Sequence, residues 1–328
     1  MAYTRVSAFH PRSIFWKPEQ ILSPTQSEAT AALRRCLPYA LLALANLLWS
    51  GNWVIGRALG DSFAPLSLNL WRWTLAALIL APFALPALAG KARVIGERAG
   101  TLLSLAFTGV VVFQVLVYLG LRTTTAVNAV LLNSSMPLFM ILCSWVMERE
   151  RATPRQFIGM LVSLAGILVI LGRGNPQSLL HLEFHSGDAW ILLAMPFWGI
   201  YSVLLKRRPP ELSGIALLFV VVVMGAAMLV PLALVEAIFL PPHMPTAAEA
   251  AAIVYISLFA SVLGFICWNR GVAAVGPNIA GFFLHLLPAF GTLLAIAFLG
   301  ESFHLFQAAG VATILVGVVL ATSGRKLA

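Results

Sequence analysis

The sequence predicts an all-α integral membrane protein, with ten transmembrane helices arranged as two inverted five-helix repeats. Three observations carry this expectation. Of 328 residues, 60% are hydrophobic and 10% charged, and the mean hydropathy is +0.92, a balance foreign to soluble domains. The apolar residues fall into ten runs, most about 20 residues long, enough at 1.5 Å per residue to cross a hydrocarbon core of about 30 Å. Residues 120–173 also return as 271–324 at an offset of 151. Gly120, Ala129, Pro137, Phe139, Leu142 and Glu150 fall on Gly271, Ala280, Pro288, Phe290, Leu293 and Glu301. Gln156, Gly159, Leu164 and Gly166 fall on Gln307, Gly310, Leu315 and Gly317. A unit of about 150 residues is too long for a solenoid repeat and indicates a duplicated helix bundle.

The runs 37–57, 64–85, 100–121, 125–147 and 154–172 make spans 1 to 5, and 187–206, 212–235, 248–269, 275–299 and 305–323 make spans 6 to 10. The first repeat occupies 37–173 and the second 187–324, with Trp49 of span 1 matching Trp198 of span 6 at an offset of 149. Residues 1–36 are polar, carry Pro11, Pro18 and Pro24, and lack the apolar core of a signal peptide. They are expected to form a disordered cytoplasmic tail, or to precede a true start further on.

Orientation follows from the basic residues. With the N-terminus in the cytoplasm, 17 of the 21 Lys and Arg lie inside, three (Arg57, Arg122, Arg173) lie outside, and Arg72 is within span 2. That bias places both termini in the cytoplasm and accounts for the net charge of +9. The basic residues are scattered over short loops, unlike the gathered basic face of a nucleic-acid binder. Five spans per repeat oblige the second repeat to enter the membrane from the opposite side, so a pseudo-two-fold axis lies in the membrane plane. Two such bundles can rock about a central site.

Span 1 reads Leu44-Ala45-Asn46-Leu47-Leu48-Trp49-Ser50-Gly51-Asn52, and span 2 carries a lone Arg72. Each repeat ends in a matching pattern, Pro137 to Glu150, Gln156, Gly159, Gly166 and Pro288 to Glu301, Gln307, Gly310, Gly317. In these features residues 37–324 resemble the EamA branch of the drug/metabolite transporter superfamily. The resemblance implies a ten-helix transporter exporting or importing small metabolites, often amino acids or their derivatives, and the expectation is an exporter of the inner or plasma membrane. It does not carry a substrate with it.

Ionisable side chains inside hydrocarbon are costly and point to function. Two lie deep, Arg72 and His285. Arg72 keeps its charge and suits a carboxylate anchor or a structural tie to neighbouring backbone. Histidine ordinarily titrates near neutrality, so His285 suits a coupling proton, or a neutral hydrogen bond within the bundle. At similar depth lie Asn46, Trp49, Asn52, Gln114, Tyr118, Asn133, Trp198 and Tyr201, with Ser134 and Ser135 beside Asn133. Together they are expected to line a polar, aromatic-walled substrate pocket. Pro137, Pro196 and Pro288 lie in mid-span and are expected to kink their helices. Glu150 and Glu301 precede spans 5 and 10 and are expected to cap or favour those N-termini. The glycines of spans 5 and 10 suit close packing, within a monomer or between the copies of a homodimer.

Other classes are weaker. No G-x4-G-K-[ST] sequence is present, which argues against ATP-driven transport. The histidines outside the spans are isolated, so neither an enzyme site nor a metal site is expected, and Cys36, Cys143 and Cys267 are too widely spaced for a cysteine framework. The expected partners are a small-molecule metabolite, membrane lipid and a coupling proton, with no cofactor. A non-transporting membrane scaffold stands as the alternative, a membrane-embedded enzyme behind it.

Overall fold

A computed structural model describes residues 24–60, 62–240, 243–299 and 302–323. Every regular element among them is helical. Span 1 lies on a helix from Pro24 to Gly60. Residues 24–36, expected to be disordered, therefore already belong to that helix, whereas residues 1–23 lie outside the described residues. Nine further helices are long and apolar enough to cross a membrane among the described residues. They are Pro65–Leu88 (span 2), Ala99–Thr123 (span 3), Asn128–Glu148 (span 4), Pro154–Leu171 (span 5), Ser186–Arg207 (span 6), Gly214–Phe239 (span 7), Ala247–Val275 (span 8), Pro277–Leu294 (span 9) and Leu305–Thr322 (span 10). Large apolar side chains such as Leu78, Phe83, Val146, Leu234 and Val319 face outward, the surface a hydrocarbon solvent requires. From Leu37 onward the chain forms one compact unit, so both repeats share one core.

The repeat symmetry shows in which residues touch. A Cβ on Gly159 would lie 2.6 Å from the carbonyl oxygen of Gly317, and one on Gly166 would lie 2.6 Å from that of Gly310. Residue numbers rise along span 5 as they fall along span 10, so the two helices cross antiparallel. Gly159 is the repeat equivalent of Gly310, and Gly166 of Gly317. The two contacts therefore exchange under a two-fold axis, as inverted repeats demand. Trp49 and its equivalent Trp198 also meet, edge to face at 5.2 Å. His285 meets the carbonyl of its own equivalent, Ser134, at 2.9 Å.

Both repeats carry the same two irregularities. Spans 3 and 8 each contain a π-helical segment, Ala106–Val112 and Ile256–Leu263, matched at the repeat offset. Spans 4 and 9 are each broken, at Ser134–Ser135 and Leu284–His285. Pro137 and Pro288 explain the breaks: lacking an N–H, they cannot bond back to residues 133 and 284, and their rings crowd those carbonyls. Pro196, by contrast, lies inside an uninterrupted helix.

Two helix starts are tied to neighbouring spans by carboxylates. Glu236 of span 7 accepts from the backbone N–H of Leu66 at 3.1 Å and of Ser67 at 2.8 Å, serving a span 2 start whose N-cap, Ala64, has no acceptor. Buried Asp188 at the start of span 6 accepts from the Thr124 hydroxyl, from Asn128 Nδ2 at 2.8 Å and from the His185 N–H at 2.8 Å. Glu150 does not cap span 5: Thr153 and Gln156 form the capping box there, and Glu150 pairs instead with Lys206. Glu301 lies outside the described residues.

Candidate functional site

Span 2 carries Arg72 two turns in from the end that Glu236 anchors. The residue is 1% exposed. Its Nε donates to Ser261 Oγ, and its Nη1 donates to Gln114 Oε1 at 2.9 Å and to Tyr118 Oη at 3.1 Å. Tyr118 donates onward to Asn52 Oδ1 at 3.4 Å, and the guanidinium carbon lies 4.8 Å from the centre of the Trp73 ring. None of the ion pairs among the described residues includes Arg72. A full charge is thus held by neutral acceptors alone, with Nη2 left over.

The π-helical segments position this arrangement. In span 8 the wider turn lets Ser261 Oγ donate to Ile256 O, five residues back, at 2.9 Å, while its oxygen receives Arg72 Nε. In span 3 the segment includes Gly109, where a Cβ would lie 2.3 Å from the ring of Tyr201; only a bare backbone admits that ring.

Arg72 opens on a central cavity that Trp49, Asn52, Gln114, Asn133 and Trp198 also line. Its free space, about 30 Å³, holds a water but no metabolite. Two buried donors in its wall have no partner among the described residues, Asn133 Nδ2 and Trp198 Nε1. The equivalent Trp49 Nε1, by contrast, donates to Ala260 O at 2.9 Å. Around the tryptophan pair pack Phe113, Phe265, Trp268 and Tyr201, with ring centres 4.8 to 6.0 Å apart.

The expected pocket residues thus divide into three groups. Trp49, Asn52, Arg72, Gln114, Asn133 and Trp198 share the cavity, and Tyr118 is bonded to two of them. Tyr201 sits behind, stacked on Trp198 at 5.2 Å and donating to Asn269 Oδ1 at 2.9 Å. This last pair is the repeat copy of Asn52 and Tyr118 with the two residue types exchanged. Asn46 is outside the lining; its Nδ2 bonds back to Leu42 O at 2.8 Å.

His285 is also outside the lining, although its neighbours Leu284 and Leu287 belong to it. It is fully buried at the break in span 9. Nε2 must carry a hydrogen to donate to Ser134 O. Nδ1 contacts Ser163 Oγ, which also lies 2.9 Å from Gly159 O and 3.0 Å from Met160 O. With neutral imidazole the serine hydrogen must serve either Nδ1 or a carbonyl. With imidazolium, Nδ1–H donates to the serine, whose hydrogen is free for Gly159 O. The hydroxyl can therefore serve both charge states.

Sequence reading passed over Ser261, Phe113, Trp53, Met136, Leu284 and Leu287, which touch Arg72 or line the cavity. Only Ser261 carried a signal, as a hydroxyl within an apolar run.

Known proteins of similar sequence align over most of this chain. A protein named uncharacterized transporter YetK, of Bacillus subtilis (strain 168), is 25% identical over 290 residues, covering 88% of this chain and 87% of its own. A protein named uncharacterized transporter, of Archaeoglobus fulgidus, is 27% identical over 290 residues, covering 87% and 97%. A protein named probable terminal-alkyne amino-acid exporter, of Streptantibioticus cattleyicolor, is 29% identical over 294 residues, covering 87% and 94%. A solved crystal structure shares the fold at a TM-score of 0.70 and 21% identity, over 87% of this chain and 96% of that one. The profile of the EamA-like transporter family matches residues 37–172 and 185–323, one match for each repeat, and the chain belongs to that family.

Proposed function

We propose that this protein is a secondary transporter that exports small carboxylate-bearing metabolites, amino acids and related compounds, by alternating access about the central cavity. The observation that carries this reading is Arg72: a buried cation without a countercharge among the described residues, aimed into a cavity beside two unpartnered donors. Such a wall suits a ligand rich in acceptors and negatively charged. In this reading the substrate carboxylate takes the free Nη2 of Arg72, Asn133 and the Trp198 indole complete its shell, and the tryptophan pair covers the apolar part. Because the free space is so small, loading requires the two repeats to part along the Trp49–Trp198 contact. The name of the Streptantibioticus relative supports amino-acid chemistry and the outward direction. The basic bias of the loops supports cytoplasmic termini in the inner or plasma membrane.

His285 carries the coupling proton in this account. It lies on the pseudo-axis, joins the two broken spans, and has a serine that can serve either charge state. The test compares amino acids with their amides as competitors of labelled-substrate transport in proteoliposomes. The carboxylates should compete and the amides should not; equal competition would remove Arg72 from the site.

A further inference from the structure

A second cavity, of about 620 Å³, lies where span 4 ends, spans 5 and 9 begin and span 10 ends. It shares no lining residue with the central cavity. We propose that this mouth is an oxyanion-binding site, taking a phosphate-type group on Arg151, Arg155, Gln156 and Asn278.

Arg151 and Arg155 both line it, and neither joins an ion pair among the described residues. The one carboxylate in the lining among the described residues, Glu150, is taken by Lys206. The 18-residue helix of span 5 opens at the mouth, bringing the positive end of its dipole. Gln156, 9% exposed, uses its Oε1 to accept from Thr153 N–H at 2.8 Å, which leaves its amide hydrogens free. Asn278 is 6% exposed; its Oδ1 is buried without a partner among the described residues, and its Nδ2, the group that can donate to an anion, makes no hydrogen bond among them either. A buried amide that lines a cavity without a partner is a group waiting for one.

The repeat-equivalent positions act as an internal control. At the offset of 151, Gln156 falls on Gln307, whose Oε1 likewise accepts from the N-cap N–H, that of His304, at 2.8 Å; that glutamine belongs to the architecture. Arg151 and Arg155 fall on Ser302 and Phe306, and Asn278 falls on Val127. The fold does without these donors at its other end, so folding does not require them here. The inside preference of basic residues explains which side the arginines occupy, but not their meeting with Asn278 in one cavity.

The same chemistry is offered by an anionic lipid headgroup and by a dissolved anion, and the experiment separates them. Inorganic phosphate is titrated against chloride at fixed ionic strength into the protein in neutral detergent. Retention of phosphatidylglycerol against phosphatidylcholine is read by native mass spectrometry. The test variant is Arg151→Ser/Arg155→Phe/Asn278→Val, which installs at each position the residue of its repeat equivalent; Arg93→Gln/Arg98→Gln on another basic loop is the control. The wild type should bind at least one probe, the triple variant at least tenfold more weakly, and the loop control unchanged. Phosphate binding assigns the site to dissolved anions, and retention of phosphatidylglycerol alone assigns it to lipid. If the triple variant does not fold, Arg155→Gln should still weaken binding threefold or more. No binding of either probe to the wild type, or equal binding by folded variants, would overturn the proposal.

Discussion

Replacing Arg72 by Gln should leave the protein folded and weaken carboxylate substrates selectively. The substitution removes three internal hydrogen bonds. Two of their acceptors keep another bond: Ser261 donates to Ile256 O and Tyr118 donates to Asn52. Gln114 Oε1 is the group left without a donor, at a cost of about 1–3 kcal/mol. Against this, a charge at mid-membrane carries a penalty of about 2.5–3.5 kcal/mol on insertion scales, and the neutral amide escapes it. The two terms offset each other, so the thermal midpoint should shift little. For the substrate the balance differs. A lost charge-assisted hydrogen bond is worth about 1.5–3 kcal/mol, and at 1.4 kcal/mol per decade the Kd for a carboxylate rises roughly 10- to 100-fold. The assay is equilibrium binding of a transported amino acid and of its amide to purified wild type and Arg72→Gln. The acid should lose affinity in the variant and the amide should not. An acid that binds the folded variant as tightly as the wild type would refute the reasoning.

Other consequences follow from the same geometry. Gly317→Ala puts a Cβ 2.4 Å from Ser163 N and 2.6 Å from Gly159 O; these are backbone atoms, so the helices must separate, at about 1–3 kcal/mol or more. Gly291→Ala, with open space around it, should leave the thermal midpoint unchanged, and similar losses in both would disprove the antiparallel contact. Glu236→Gln removes a charged acceptor from the start of span 2 and should destabilise by about 1 kcal/mol, read as a lower midpoint in thermal unfolding. His285→Gln should abolish the stimulation of transport by a pH gradient while exchange persists, and unchanged stimulation would remove the histidine from coupling. Tyr118→Phe should weaken substrate binding, read by equilibrium binding of a transported amino acid, because it removes a contact that orients the Arg72 guanidinium, whereas Tyr201→Phe should not.

Much of this was legible in the sequence because hydrocarbon imposes a simple rule on length and polarity. The spans, the duplication and the depth of Arg72 follow from counting, and Pro137 and Pro288 mark both helix breaks. The π-helical segments left no trace, because a hydrogen bond that spans five residues instead of four changes the register and not the hydropathy. Ser261 as the partner of Arg72 was also hidden: the two are 189 residues apart, and their meeting is set by packing of span 2 on span 8. Contacts on the pseudo-axis were within reach, since residues there meet at or near their own repeat equivalents. The serine partner of His285 could not be found that way. The helix before Leu37 was missed because Pro24 suits a first helical turn as well as it suits a loop.

Uptake of a panel of labelled amino acids by proteoliposomes, with and without an imposed pH gradient, tests the central claim most directly. The account predicts saturable uptake of at least one carboxylate-bearing compound, raised by the gradient. No uptake of any compound by protein shown to be folded would contradict it.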